Sequence, residues 1–246
     1  MSQQLAGKLA AVLFDAGNTI LHLDYPYICE VLARHGFGCD PGAFQLAEYS
    51  SRAAVDRELA HHVSPPESVE GLLWSGRGER PSYFAVALHQ LGIRGEQAEP
   101  VLEDLRRLNQ ERCLWRVVEP DTAEVLGELR RRGYRIAVIS NADGRVERLL
   151  CDAKLDVLFE TVIDSSIVGV EKPDPRIFQL ALEKLGGIPA AEAIYVGDVY
   201  GIDVQGARRA GLTPILLDRL SRYPRELDCV RITALDELLD LLPGRG

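Results

Sequence analysis

Histidine is missing from the chain beyond residue 89: His22, His35, His61, His62 and His89 are the full set in a 246-residue sequence. A Ser-His-Asp triad or a histidine-built metal site in the second half is therefore excluded, and chemistry there has to rest on carboxylates, lysine and hydroxyls. Cysteine is equally uninformative as a scaffold. Cys29, Cys39, Cys113, Cys151 and Cys229 are odd in number, scattered, and contain no C-x-x-C pair. A disulfide framework or zinc site is not expected, and buried reduced thiols are. No apolar run approaches the ~18 residues of a spanning helix. The start Met1-Ser2-Gln3-Gln4 lacks a basic region and Leu9–Phe14 is too short for a signal peptide, so a cytoplasmic protein with no membrane partner is expected. Positive charge is also short: 28 basic against 37 acidic residues give a net charge of −9, which argues against a nucleic-acid footprint. The one basic run, Arg130-Arg131-Arg132, ends a predicted helix, where the helix dipole favours it. No feature specifies an oligomeric state.

What is present is an ordinary globular composition, 46% hydrophobic and 26% charged, long enough for one large domain or two unequal ones. Leu9–Phe14, Tyr134–Ile139, Thr161–Ile163, Ala193–Val196 and Pro214–Leu217 are short apolar runs that read as buried parallel strands. Helical patterns separate most of them. Asp121-Thr122-Ala123-Glu124 has the form of a capping box and Gly133 marks that helix's stop; Pro175–Leu185, Gly201–Ala210 and Ala234–Leu242 follow. This alternation predicts an α/β domain with a parallel sheet. From residue 22 to 113 the pattern changes to successive helices, about 25–35, 42–62, 81–91 and 96–112, broken at Ser64-Pro65-Pro66 and Gly71–Pro81. The expected organisation is a discontinuous core, 1–21 with 114–246, interrupted by a helical insertion, 22–113.

Ligands of open parallel sheets sit beyond the carboxyl ends of the strands. The first strand ends in Asp15-Ala16-Gly17-Asn18-Thr19 and the second in Ser140-Asn141. The next leads to Glu171-Lys172-Pro173, and the fourth ends in Gly197-Asp198, with Asp203 five residues on. Each alone has a plain structural reading: a turn residue for Asp15, helix caps for Ser140 and Asp198, a solvated loop charge for Lys172. Four such residues at one sheet edge are a poor fit to coincidence.

The segments LFDAGNTI, VISNA, VGVEKPDPRIF and YVGDVYGIDVQGARRAGL resemble, in order and wording, the four signatures of the haloacid dehalogenase-like hydrolase superfamily. The likeness spans the α/β part, and the helical stretch falls where many members carry a helical cap. It implies a Rossmann-like parallel sheet flanked by helices with an inserted all-helical cap domain. It also implies a hydrolase in which Asp15 attacks an electrophilic centre, most often phosphorus, to form a covalent intermediate. Mg²⁺, as cofactor, would be held by Asp15, Asp198 and the Gly17 carbonyl, with Asp203 orienting that site. Lys172 would neutralise charge, Ser140 would hold phosphoryl oxygens, and Thr19 and Asn141 would lie beside the substrate. The implied partner is a small phosphorylated metabolite.

The first signature departs from the phosphatase pattern, which has a second Asp two residues after the nucleophile; here Gly17 stands there. The missing side chain protonates the leaving group and activates water, help worth roughly 10²–10⁴ in rate. The dehalogenase branch also lacks that Asp and shares the Phe14-Asp15-Ala16 opening, but works without metal and typically lacks the Gly-Asp of the fourth signature. A phosphonatase needs a cap lysine, and residues 22–113 contain none. A mutase needs the missing acid itself. Two main readings stay open: a Mg²⁺-dependent phosphatase, and a catalytically weakened member that binds a ligand or partner, with a 2-haloacid dehalogenase-like hydrolase behind them. His22, His61 and His62 are the imidazoles available as substitute donors. Arg77 and Arg80, in the loop with Trp74 and Tyr83, are the candidate anion-binding residues of the helical segment.

Overall fold

The continuous apolar run at the start of the chain forms strand β1 (Ala11–Phe14), with every side chain buried. Burial on both faces is the condition of a central strand in a parallel sheet. In the computed structural model, which describes residues 8–61, 82–224 and 226–244, this strand is the spine of the α/β unit. It is followed by β2 (His22–Leu23), β3 (Trp115–Val117), β4 (Arg135–Ser140), β5 (Thr161–Asp164), β6 (Ala193–Gly197), β7 (Thr213–Leu217) and β8 (Val230–Ile232). Six strands make one sheet in the order β5-β4-β1-β6-β7-β8, and all its pairings are parallel. All carboxyl ends therefore share one edge. The register sets Phe14 beside Val138 and Val196, Ser140 beside Asp164, and Gly197 beside Leu216.

Helices Thr122–Arg131, Val146–Asp152, Pro175–Lys184 and Glu237–Leu241 flank this sheet. Pro175–Lys184 begins with Pro in its first turn after Asp174, whose carboxylate accepts the Arg176 N–H, and buries Ile177, Phe178, Ala181 and Leu182. These pack with Leu13, Ile139, Ile163 and Tyr195 in the core. Helix Thr122–Arg131 differs from expectation at its start. Asp121 is itself in the right-handed helical region (φ −90°, ψ −12°) and its side chain makes no cap bond, so no capping box forms. The stop is as read: Gly133 has φ +88°, which only glycine adopts without cost. The basic triplet is used internally. Arg130 donates to the Val157 carbonyl, Arg131 pairs with Glu128, and Arg132 donates to the Leu239 and Leu242 carbonyls at the end of the last helix.

The chain divides into two compact units, Met1–His22 with Val118–Gly246, and Leu23–Val117. The second unit holds helices Tyr25–Arg34, Pro41–His61, Tyr83–Gln90 and Ala98–Arg112, around Ile28, Leu32, Phe44, Phe84, Leu88, Val101 and Leu105. The short strands β2 and β3 pair as a separate two-stranded sheet. Asp24 and Arg116 close on each other at 2.5 Å, which keeps the Trp115–Val117 stretch with the helical unit. No helix among the described residues is long and apolar enough to cross a membrane.

The edge that matters is tied together by Asp164, the buried last residue of β5. Its Oδ1 accepts from the Ser166 N–H and Oγ–H, and its Oδ2 accepts from the Gly144 N–H at 2.9 Å. This fixes the loop that leaves β4 after Ser140. Hydrogen bonds to a charged acceptor such as this carboxylate are each worth about 1.5–3 kcal/mol. Asp164→Ala is therefore expected to lower the unfolding free energy by about 2–4 kcal/mol in urea denaturation, and Asp164→Asn, which keeps one acceptor oxygen, by less.

Candidate active site

Strand β1 delivers Asp15 to the carboxyl edge of the sheet, β4 delivers Ser140 and β6 delivers Asp198, all three buried. The Asp15 N–H extends the ladder by donating to the Val196 carbonyl at 2.8 Å, so the carboxylate sits on a fixed backbone. Lys172 arrives from the loop after β5, ahead of a cis Lys172–Pro173 bond. Asn141, the residue after β4, sets that loop's position. Its Nδ2 donates to the Lys172 carbonyl at 2.8 Å and its Oδ1 accepts the Lys172 N–H at 2.7 Å. Both ends of the Asn141 amide are thus engaged with the lysine backbone rather than turned toward a substrate.

The Lys172 ammonium has three N–H groups and three acceptors. It donates to Asp15 Oδ1 at 2.5 Å, Asp203 Oδ1 at 2.8 Å and the Tyr195 hydroxyl at 2.8 Å. Tyr195 in turn donates to the Ile139 carbonyl at 3.1 Å. The group is shut away from water: the side chains of Lys172, Asp15 and Asp203 are 3%, 9% and 2% exposed. Burial raises the Asp15 pKa from 3.8 to about 6, against the lowering pull of Lys172. Burial alone would bring the Lys172 ammonium down, but Asp15 and Asp203 hold it above the ordinary lysine value. Burial, with Asp203 and Asp15, keeps the Tyr195 phenol well above its usual range and so protonated.

Asp203 is a brace. Its Oδ1 accepts a hydrogen bond from the lysine ammonium, and its Oδ2 accepts the N–H groups of Asp198 and Val199 at 3.1 and 2.9 Å. The approach is possible because residue 197 is glycine: a Cβ there would lie 2.4 Å from Asp203 Cγ. Asp15, Asp198 and Asp203 each offer a carboxylate oxygen, all within 4.8 Å of one another. Three carboxylates around one ammonium leave an excess of negative charge in a dry site. An all-oxygen donor set of that charge suits a hard divalent cation.

Asn18 follows in the left-handed region at φ +57°, a conformation Asn tolerates. The buried Asn18 Oδ1 and Thr19 Oγ1 have no hydrogen-bond partner among the described residues. Gly17 is not among the positive-φ residues, so its backbone is open to an L side chain. The structure therefore brings Asp15, Gly17, Thr19, Ser140, Asn141, Lys172, Asp198 and Asp203 to one edge. His22 is buried at the start of β2. Trp74, Arg77, Arg80, His62 and the side chain of His61 lie outside the described residues. Tyr195 is the participant that sequence reasoning missed, since it reads as one more apolar position in a buried strand. Its place three residues before Asp198, on the strand beside Asp15, was the available signal.

A sequence model of the family described as haloacid dehalogenase-like hydrolase matches residues 9–211. The human protein named haloacid dehalogenase-like hydrolase domain-containing protein 3 is 32% identical over 253 residues, covering 96% of each chain. A phosphoserine phosphatase of Thermus thermophilus is 35% identical over 178 residues, 72% of this chain and 68% of its own. Among solved structures, the putative HAD-hydrolase YfnB of Bacillus subtilis shares the fold with a TM-score of 0.67 at 17% identity, over 96% of this chain and 99% of that one.

The close approach at Gly197 can be tested by itself. Gly197→Ala forces Asp203 off Lys172 or off the Asp198 and Val199 amides, and overpacking of this kind costs about 1–3 kcal/mol. A loss of that size in chemical denaturation is expected, together with weaker binding of added divalent cation in calorimetry. Gly38→Ala, where nothing lies within 4 Å of the new Cβ, should change neither.

Proposed function

The chain belongs to the haloacid dehalogenase-like hydrolase family, and we propose that within it the protein is a Mg²⁺-dependent phosphatase of small phosphorylated metabolites. It works through an aspartyl-phosphate on Asp15. The observation that carries this reading is the buried Lys172 ammonium bonded to Asp15 and Asp203, with Asp198 within ligand range of both. The phosphatase name of a relative 35% identical to the chain supports the same reaction class.

In this reading an Asp15 carboxylate oxygen attacks phosphorus, the ester or anhydride oxygen leaves with its electron pair, and water then attacks the phosphoaspartate to release inorganic phosphate. Lys172 holds Asp15 ionised and places one positive charge beside the transferred group. Ser140 and nearby backbone N–H groups, such as that of Gly17, would take its equatorial oxygens. Asp15, Asp198 and the Gly17 carbonyl would hold Mg²⁺, which supplies charge neutralisation at the phosphoryl oxygens. Asp203 keeps the Asp198 backbone and Lys172 in place. Asn141 acts as a positioning residue for Lys172. The helical unit takes the part of the cap, setting specificity, and Arg77 and Arg80 stand as its candidate anion-binding residues.

Gly17 shapes the activity. With no carboxyl group to protonate the leaving oxygen, substrates whose leaving groups need no proton, such as acyl phosphates, are favoured over alkyl esters. With none to activate water, breakdown of the phosphoaspartate is the slower step on such substrates. Gly17 also supports a second reading, a member that binds ligand with little turnover. Retention of Asp15, Lys172, Asp198 and Asp203 in one bonded cluster favours the enzyme, and the Asp198–Asp203 pair favours a phosphatase over a dehalogenase.

Mg²⁺-dependent phosphate release from acetyl phosphate is expected for the wild type and is abolished by Asp15→Asn or by a chelator. Gly17→Asp should raise turnover of alkyl phosphates by roughly 10²-fold, with a smaller gain on acetyl phosphate. Undiminished release by Asp15→Asn would remove the nucleophile assignment. A second expectation concerns pH. Because burial raises the Asp15 pKa from 3.8 to about 6, its contribution to the stability of the metal-free fold is full below pH 3.8 and is lost as pH rises through 6. Added Mg²⁺ compensates the ionised carboxylate, so the increase in Tm that it produces should be larger at pH 8 than at pH 5.

A further inference from the structure

Arg219 lies two residues past β7, on the same sheet edge as Asp198, and nothing in the reaction outlined above uses it. Its loop is attached to the site. Asp218 folds the turn by accepting the Arg222 and Tyr223 N–H groups, and the Tyr223 hydroxyl donates to the Asp198 carbonyl at 3.3 Å. The Arg219 side chain is only 10% exposed, and its Nη1 pairs with Glu119 Oε2 at 2.5 Å. Glu119 precedes helix Thr122–Arg131, which runs back against β4, so its start is also at the carboxyl edge.

The other two nitrogens, Nε and Nη2, are buried and have no hydrogen-bond partner among the described residues. They are not an arbitrary pair. Nε–H and the neighbouring Nη2–H form the side edge of the guanidinium, two parallel donors that match the two oxygens of a carboxylate or phosphate. Glu119 fixes the orientation through the remaining nitrogen and leaves this fork unmatched. Buried donors without acceptors are costly. Both are shielded from solvent, so bulk water does not satisfy them. In the order β1-β6-β7, the ends of β1 and β7 are two strand spacings, about 10 Å, apart. That is the span of a short molecule with its phosphate at Asp15 and a second oxyanion at Arg219.

We propose that Arg219 is a substrate-specificity residue that reads a carboxylate carried a few bonds from the phosphate. The substrate class is therefore a short phosphorylated acid. This rests on the phosphatase reading for the position of the phosphate, and its test is arranged to fail separately. O-phosphoserine and phosphoethanolamine differ only by the carboxylate. The wild type should show kcat/KM at least about 10-fold higher for O-phosphoserine. Arg219→Gln should raise KM for O-phosphoserine by about 10–100-fold, the worth of a charged bidentate pair, with kcat little changed and phosphoethanolamine within about twofold. Glu119→Gln breaks the same ion pair but keeps the fork, so it should retain most of the preference. Equal losses on both substrates, or equal effects of Arg219→Gln and Glu119→Gln, would overturn the inference in favour of a merely structural ion pair. Calorimetric binding of O-phosphoserine to Asp15→Asn protein, with and without Arg219→Gln, reads recognition without turnover. Arg219-dependent binding with no phosphate release by the wild type from either O-phosphoserine or acetyl phosphate would sink the phosphatase reading alone. Binding indifferent to Arg219, or none, would sink this one.

Discussion

The buried ammonium of Lys172 is the constraint on which the site depends. A lysine side chain 3% exposed is unfavourable unless every proton is matched, and here each one is, by Asp15, Asp203 and Tyr195. Each acceptor is in turn fixed by the sheet or by the loop beyond it. Asp15 continues the β1 ladder, Tyr195 is anchored on the Ile139 carbonyl, and Asp203 holds the Asp198 and Val199 amides. Three strands and the turn after β6 are thereby referred to one charged atom. The geometry is set before any substrate arrives, the condition under which charge stabilises a transition state without reorganisation.

The division of labour among the carboxylates follows from this. Asp203 has both oxygens committed inside the protein, so it orients. Asp15 and Asp198 remain for exchange with ligands. The raised Asp15 pKa shows that one lysine does not fully offset the burial of this cluster. In the proposed phosphatase a divalent cation would supply the missing charge, while Gly17 withholds the proton donor. A site with full electrostatics and no acid favours forming the covalent intermediate over breaking it.

The strands were legible where burial on both faces left an unbroken apolar run, as in Ala11–Phe14 and Ala193–Val196. Val230–Ile232 was not, because three residues with Arg231 in the middle carry no period. The capping box at Asp121 failed because the aspartate joined the helix instead of preceding it. In the site, Asp15, Ser140, Lys172, Asp198 and Asp203 stood out as polar residues at the ends of apolar strands. The roles of Asn141, Tyr195 and Arg219 did not, because each depends on a partner far away in sequence: Lys172 for Asn141 and Tyr195, and Glu119 for Arg219.

Whether Asp15 receives the phosphoryl group can be read directly. The Mg²⁺-loaded protein is mixed with acetyl phosphate, quenched within one turnover and reduced with borohydride, which converts an acyl phosphate to an alcohol; peptide mass spectrometry then locates the change. Conversion of residue 15 to homoserine is the expected result, with a high yield because Gly17 leaves the second step slow. Phosphate release with Asp15 unmodified, or conversion of a different carboxylate, would contradict the assignment of Asp15 as nucleophile.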